Sequence, residues 1–282
     1  TNYNIFEHDV DIASGGNVYG ANIGAIDGQG REGQDELLPY MGAFFAENKM
    51  EYDGMIVNAG LRFDYFDPAT DRYDVNDEEV ISDTFDVEPK YYISPRLGIA
   101  HPITERDVFY FNYGQYFQIP VFNRLYDNLN WDLSGAFPRV GNPDLQPERT
   151  TSYEIGVRHQ FTQNFAGEVK GFYKDISGLT STQQIYYSAS NYYSIFVNTD
   201  YGNVRGIEFS FDKRFSNYFG GSIDYTYSVA KGKASSPTAQ STQVWAGQVV
   251  PKKEQFLDWD QRHTMSFILN YEIPKTGIRG NF

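Results

Sequence analysis

Apolar and polar residues alternate with a period of two over most of this chain. In residues 204–215, Ile207, Phe209, Phe211 and Phe215 alternate with Glu208, Ser210, Asp212 and Arg214, and Lys213 interrupts the apolar set. The following segment sets Ile223, Tyr225, Tyr227 and Val229 against Ser222, Asp224, Thr226 and Ser228. Such alternation predicts strands with one oily and one wet face. Only residues 216–218 separate the two runs, so they pair as a hairpin through a tight turn. Further units of this kind have turns at 52–54, 104–107, 162–164 and 274–277. Turn centres near 53, 105, 163, 217 and 275 give a period of about 55 residues. The intervening connections, 67–90, 119–148, 177–203 and 231–259, are long and polar. Residues 39–50 (PYMGAFFAENKM) also fit a short amphipathic helix, but their hairpin context favours a strand.

Short turns therefore lie at one end of every strand pair and long loops at the other. Compact soluble domains seldom carry loops beyond ~12–15 residues. An outer-membrane β-barrel requires this asymmetry, and its strands alternate lipid-facing apolar residues with polar lumenal ones. Aromatic residues gather near the tight turns (Phe161, Phe165, Phe215, Tyr218, Phe219, Tyr271), as in an interfacial girdle. The other face carries Arg62, Asp64, Arg96, Asn112, Glu154, Arg158, Glu168, Lys170, Arg262 and Asn270. A dry core would not accept that set unpaired. The expected fold is all-β: an antiparallel transmembrane β-barrel segment of about ten strands. Residues 1–36 form a Gly-rich, polar first strand and external loop, and 37–282 the barrel hairpins. A β-sandwich or propeller also alternates. A soluble or surface-attached all-β binding module, for instance for carbohydrate, is therefore the alternative, and a requirement for detergent separates the two.

Composition narrows the chemistry. The 282 residues contain no cysteine, which removes disulfides, thiolate metal sites and thiol catalysis. Mean hydropathy is −0.52 and apolar runs are short, so no helix spans a membrane. With 23 basic and 37 acidic residues the net charge is −14, which opposes nucleic-acid binding. The acid concentrates between Asp64 and Glu88, including Asp71, Asp74, Asp77, Glu78 and Glu79. That run lacks EF-hand spacing and reads as solvated charge. Gly28, Gly30 and Gly33 spell G-x-G-x-x-G without the strand and helix a dinucleotide site needs. His8, His101, His159 and His263 are scattered without ligand spacing, so no metal or cofactor is expected. No nucleophile elbow occurs, and an enzyme is not expected. The loop 119–139 carries Arg124, Tyr126, Trp131, Phe137 and Arg139, a mixture suited either to gripping a ligand at a barrel mouth or to packing on itself.

At Asn142 the sequence reads NPDLQPERTTSYEIGVRHQF. It closely resembles the barrel motif of TonB-dependent outer-membrane receptors, a loop NPxLxPE followed by a strand with YEIG. The matching positions are Asn142, Pro143, Leu145, Pro147, Glu148, Tyr153, Glu154, Ile155 and Gly156. The G-L-R-x-D run at 60–64, the S-P-R-x-G run at 94–98 and the N-x-x-G-x-E run at 203–208 resemble other strands of the family, in the same order. The resemblance implies a 22-stranded barrel plugged by an N-terminal domain, taking up a scarce nutrient with energy relayed by TonB. It implies as partners outer-membrane lipid and lipopolysaccharide, the rest of the barrel and its plug, TonB, and a surface lipoprotein. This chain offers about ten strands and no plug pattern, and only five residues follow the last turn. The expectation is a partial wall that does not close or transport by itself.

Overall fold

A computed structural model describes residues 10–11, 39–52, 54–70, 72–75, 81–129, 131–189, 191–248, 253–274, 276 and 279–281. The glycine motif at 28–33, His8, Asp71 and 77–79 lie outside the described residues, as does the boundary at 36/37. The strands are β1 (Val10–Asp11), β2 (Tyr40–Tyr52), β3 (Met55–Asp67), β4 (Arg72–Val75), β5 (Ile81–Phe85), β6 (Lys90–Pro102), β7 (Asp107–Gln118), β8 (Arg139–Val140), β9 (Glu148–Gln160), β10 (Phe165–Tyr186), β11 (Tyr192–Ser216), β12 (Phe219–Gly232), β13 (Gln255–Phe256), β14 (His263–Glu272) and β15 (Arg279–Asn281). Two short helices, α1 (Phe122–Tyr126) and α2 (Ala239–Trp245), lie in connections. One 13-stranded sheet runs in the order β1-β2-β3-β6-β7-β9-β10-β11-β12-β14-β15, with β13 beside β12 and β8 beside β11. All neighbours on that path are antiparallel and follow chain order, so the sheet is an up-and-down wall. Residues 40–52 form a strand, paired along its length with β3.

The tight turns have local chemical causes. Thr104 accepts the amides of Arg106 and Asp107 at 3.1 and 3.0 Å, and Thr162 accepts those of Asn164 and Phe165, both at 3.2 Å. A threonine hydroxyl thus closes both reversals. Between Ser216 and Phe219, which pair, Asn217 and Tyr218 hold φ of +51° and +70°. Positive φ at both central residues matches the turn to the right-handed twist of the flanking strands.

Registry joins the apolar residues into rows. Ile99, Phe111, Ile155, Gly171, Ile207 and Tyr227 are paired in sequence across six strands, and Phe109, Val157, Val169, Phe209, Tyr225 and Met265 across another six. Ile155, Val157, Val169, Ile207, Phe209, Tyr227 and Met265 are all exposed. A water-soluble sheet would bury such rows; an exposed continuous band of this size requires hydrocarbon beside it. The outward positions of β11 read Arg205, Ile207, Phe209, Phe211, Lys213. Cations bracket three apolar residues, and Phe209 sits four residues from each. Lys213, the break in the sequence pattern, lies at the tight-turn boundary. Its ammonium is 3.8 Å from the Phe219 ring centroid and donates to the Phe219 carbonyl at 2.7 Å. Its stem follows the apolar surface while its charge reaches polar groups. A second aromatic row, Tyr113, Tyr153 and Tyr173, has centroid spacings of 5.3 and 6.5 Å and marks the other boundary. Tyr173 and Phe165 are eight residues apart, about 26 Å along the strand, or ~20 Å of membrane depth at the usual tilt.

Three expectations change. Residues 177–203 are not a loose connection. β10 and β11 stay paired past a bulge at Gly178 (φ +69°) up to Tyr186 and Tyr192. The polar composition that reads as a loop is accommodated because Thr180, Ser181, Thr182 and Ser194 are buried beneath the other connections. The acidic run between Asp64 and Glu88 likewise contains a hairpin, β4–β5. Arg262, expected to face the lumen, places its guanidinium 4.2 Å from the centroid of Phe256, whose registry partner Lys231 is on the outward face. It can do so because β14 begins only at His263 and leaves the arginine free of the strand pleat.

Candidate functional site

The inward face carries paired charge. Lys170 and Glu208, opposite one another on β10 and β11, lie 2.5 Å apart. Tyr110 donates to Glu168, Ser210 donates to Asp224 at 2.6 Å, and Arg158 faces Asp212 at 3.9 Å. Arg62 forks onto Asp64 at 2.9–3.0 Å. Glu154 lies in the same inward set, opposite Asn112 and Phe172. Gly156, the last motif position, has the Tyr110 ring lying across it, and a Cβ there would collide with that ring. Glycine is needed at this position for close approach of the ring. The inward face is thus a hydrated, ion-paired surface suited to a second polar body.

The motif 142–148 is the tie between the loops and the wall. Asn142 is buried, donates to the Phe196 carbonyl at 2.8 Å and accepts the Asp144 amide at 3.1 Å. Pro143 and Leu145 are fully buried, and Leu145 packs with Phe66, Leu125, Tyr126 and Phe196. Asp144 pairs with the buried Lys90 at 3.1 Å, and Gln146 accepts from Tyr92 at 2.7 Å. Pro147 is buried, and Glu148 receives Arg124 at 3.3 Å and the Thr180 hydroxyl at 3.0 Å. One short segment therefore joins β6, α1, β10 and β11. Tyr153 stands on the outward face in the aromatic row.

The five loop residues singled out from sequence each have a partner inside the chain in this mouth, Phe137 lying with its ring centroid 4.9 Å from that of Trp245. Arg124 pairs with Glu148. Tyr126 is buried and donates to the Pro68 carbonyl at 2.9 Å, and burial pushes its phenol well above the ordinary tyrosine range. Trp131 lies edge-on to Tyr193 at 5.2 Å, in a cluster with Val140, Tyr187 and Ile195. Arg139 lies 3.5 Å from Asp127 and 5.4 Å from the Phe196 centroid. Sequence reasoning did not include Ser181, Gln184, Ser194 and Trp245, which carry buried polar atoms with no hydrogen-bond partner among the described residues. The mixed polarity of 177–203 hid the first three, and that of 231–259 hid Trp245, because both read as solvated connections. Among the described residues no group of His, Asp and Glu is placed to hold a metal ion.

Asp260 secures the last long connection. Its carboxylate accepts the Ala230 amide and the Arg262 guanidinium, each at 2.6 Å, and these hold it below the usual aspartate value of 3.8. A depressed carboxylate pKa contributes stability above the unfolded value, which is lost as pH falls through the folded value. Hydrogen exchange at Ala230 and residues 255–262 is expected to quicken below pH 3.8, while Asp260→Asn exchanges fast at every pH.

The geometry defines a class: a transmembrane β-barrel wall with a hydrocarbon-facing surface, a polar lumen and a packed mouth at one end. The chain belongs to the TonB-dependent receptor family; residues 1–279 match the family model described as TonB dependent receptor-like, beta-barrel. Over 200 residues it is 25% identical to the vitamin B12 transporter BtuB of Photobacterium profundum, covering 70% of this chain and 29% of that protein. It superposes on the FrpB iron transporter from Neisseria meningitidis (F3-3 variant) with a TM-score of 0.57 and 16% identity, over 86% of this chain and 32% of that one. For the ferric-catecholate import receptor Fiu from K12 E. coli the TM-score is 0.53 at 15% identity, over 84% and 32%. The chain spans about a third of the length of these relatives. The family is one of receptors and transporters in the Gram-negative outer membrane, and the wall described here lies in that membrane.

Proposed function

We propose that this chain forms a wall segment and part of the external mouth of a TonB-dependent receptor that takes up a scarce nutrient. The observation that carries this reading is the opposition of the two faces: exposed apolar rows outward, ion pairs inward, in one sheet whose tight turns all lie at one end. The inward Glu154, Glu168, Lys170 and Glu208 suit contact with a polar plug filling the lumen. TonB acts through that plug, and the packed mouth offers a surface to a cargo or to a capping surface lipoprotein. Cargo of the class siderophore, vitamin, oligosaccharide or peptide fits such a barrel. The expected result is that a deletion strain loses uptake of one compound in a panel of ferric siderophores, cobalamin, oligosaccharides and peptides. Loss of TonB is expected to abolish the same uptake. Uptake of every compound at wild-type rates in the deletion strain overturns the reading.

A further inference from the structure

We infer that the mouth contains a buried site for one small monovalent anion of the halide class, formed where β10, β11, β8 and α2 meet.

Gln184, Ser194 and Arg139 are registry partners on three adjacent strands. Gln184 lies opposite Ser194 across β10 and β11, and Ser194 lies opposite Arg139 across β11 and β8. Direct partners share a face, with Cβ atoms about 5 Å apart, so one atom-sized ligand reaches all three side chains. The Arg139 guanidinium lies 5.4 Å from the centroid of Phe196, which is two residues from Ser194 and therefore on the same face. The helix α2 crosses that face. Its Ser241 amide donates to the Thr182 hydroxyl at 3.2 Å, and Thr182 is two residues from Gln184. Trp245 stands one helical turn beyond Ser241, and its ring centroid is 4.9 Å from that of Phe137, two residues before Arg139.

Each of the four carries a buried polar atom with no hydrogen-bond partner among the described residues: Gln184 Nε2, Ser194 Oγ, Arg139 Nε and Trp245 Nε1. Three are N–H groups that can only donate, and the fourth is a hydroxyl that can also donate. Tyr186 donates to Gln184 Oε1 at 3.4 Å, which leaves the amide nitrogen turned toward the interior. Further along the same row the polar groups are met: the Thr180 hydroxyl donates to Glu148, and the Thr182 hydroxyl accepts Ser241. The unmet donors are thus confined to this one patch, and buried donors are rarely left without an acceptor. A water molecule accepts two hydrogen bonds and adds two donors to a patch already in excess of them. A halide accepts from all four groups and adds none. Charge agrees with this. Asp127 lies 3.5 Å from Arg139 Nε without a hydrogen bond to it, so it offsets part of the cation and leaves that N–H to another acceptor. The other acids of the mouth are engaged, Glu148 by Arg124 and Thr180, and Asp200 by Lys233 and Gln240. An ion held by all four groups ties β8 and α2 to the extended β10–β11 hairpin and stiffens the mouth from one point, whichever nutrient is carried.

Crystals of the intact receptor soaked in bromide test this through the anomalous signal of the ion. One peak is expected within hydrogen-bond reach of Gln184 Nε2 and Trp245 Nε1. Trp245→Phe keeps a ring and removes one donor, and should lower bromide occupancy several-fold. Gln184→Glu replaces a donor by a like charge and should abolish the peak. Waters alone at the four donors, bromide seen only at molar soak concentrations (an adventitious ion only), or an unchanged peak in both variants overturns the inference. In solution, hydrogen exchange across residues 182–196 should be several-fold slower in chloride than in gluconate at equal ionic strength, and equally fast in both salts for Gln184→Glu. Equal exchange of wild type in the two salts overturns the inference as well. If Gln184→Glu fails to fold, Trp245→Phe alone must show the loss. Uptake is not the readout, so failure here is distinct from failure of the transport reading.

Discussion

Phe209→Arg is expected to destabilise the wall by about 2–4 kcal/mol, the cost of an arginine at the bilayer midplane. The position is the midpoint of the outward row of β11, four residues from Arg205 and four from Lys213. It is too far from either headgroup layer for an arginine to snorkel readily. Val169 and Tyr225 flank it in register, and the Tyr225 hydroxyl is already engaged with His263 at 2.8 Å. The matched control is Thr226→Arg, which faces the lumen opposite Glu208 and should change stability by no more than about 0.5 kcal/mol. Folding titrations of the intact protein in lipid vesicles compare the two. Equal losses would overturn the assignment of the two faces. Glu208 is a poorer control than its inward position suggests, because removing it strips Lys170 of its partner at 2.5 Å.

Leu145→Ala should cost about 2–5 kcal/mol, as for other large-to-small changes in a well-packed core. Leu145 is completely enclosed among Phe66, Leu125, Tyr126 and Phe196, with Met41, Ile119, Phe122 and Leu129 around them. The loss falls on the mouth rather than on the wall, since the strands below are held by their own ladders. Limited proteolysis should therefore cut 119–147 and the 186–192 tip much faster in the variant, with the barrel fragment intact. Leu145→Met conserves volume and should cost less than about 1.5 kcal/mol. Unaltered cleavage in Leu145→Ala would show that the motif does not hold the loops down.

The wall was legible because a strand in a membrane faces two solvents. Period-two alternation, threonine-bearing turns and asymmetric connections record that directly, and even Lys213 makes sense once the boundary is located. The mouth was much less legible. Residues 177–203 look like a solvated loop, yet Thr180, Ser181 and Ser194 are buried because α1, β8 and α2 cover the extended β10–β11 hairpin. Tyr126 and Trp131 look like isolated loop aromatics from composition alone, and only contacts 58 residues away in sequence (Tyr126 to Pro68) and beyond give them their partners within the chain.

Taken alone, the order of residues determined which side of each strand meets hydrocarbon, which strands pair, and where the reversals fall. These depend on neighbours one, two or three positions away and on the chemistry of turns. Only the tertiary structure decided what the loop residues pack against, how far β10 and β11 continue, and that Arg262 leaves the lumen for Phe256. Those outcomes depend on long-range packing, where a side chain's partner is set by the strand or loop folded against it and leaves no periodic trace in the chain.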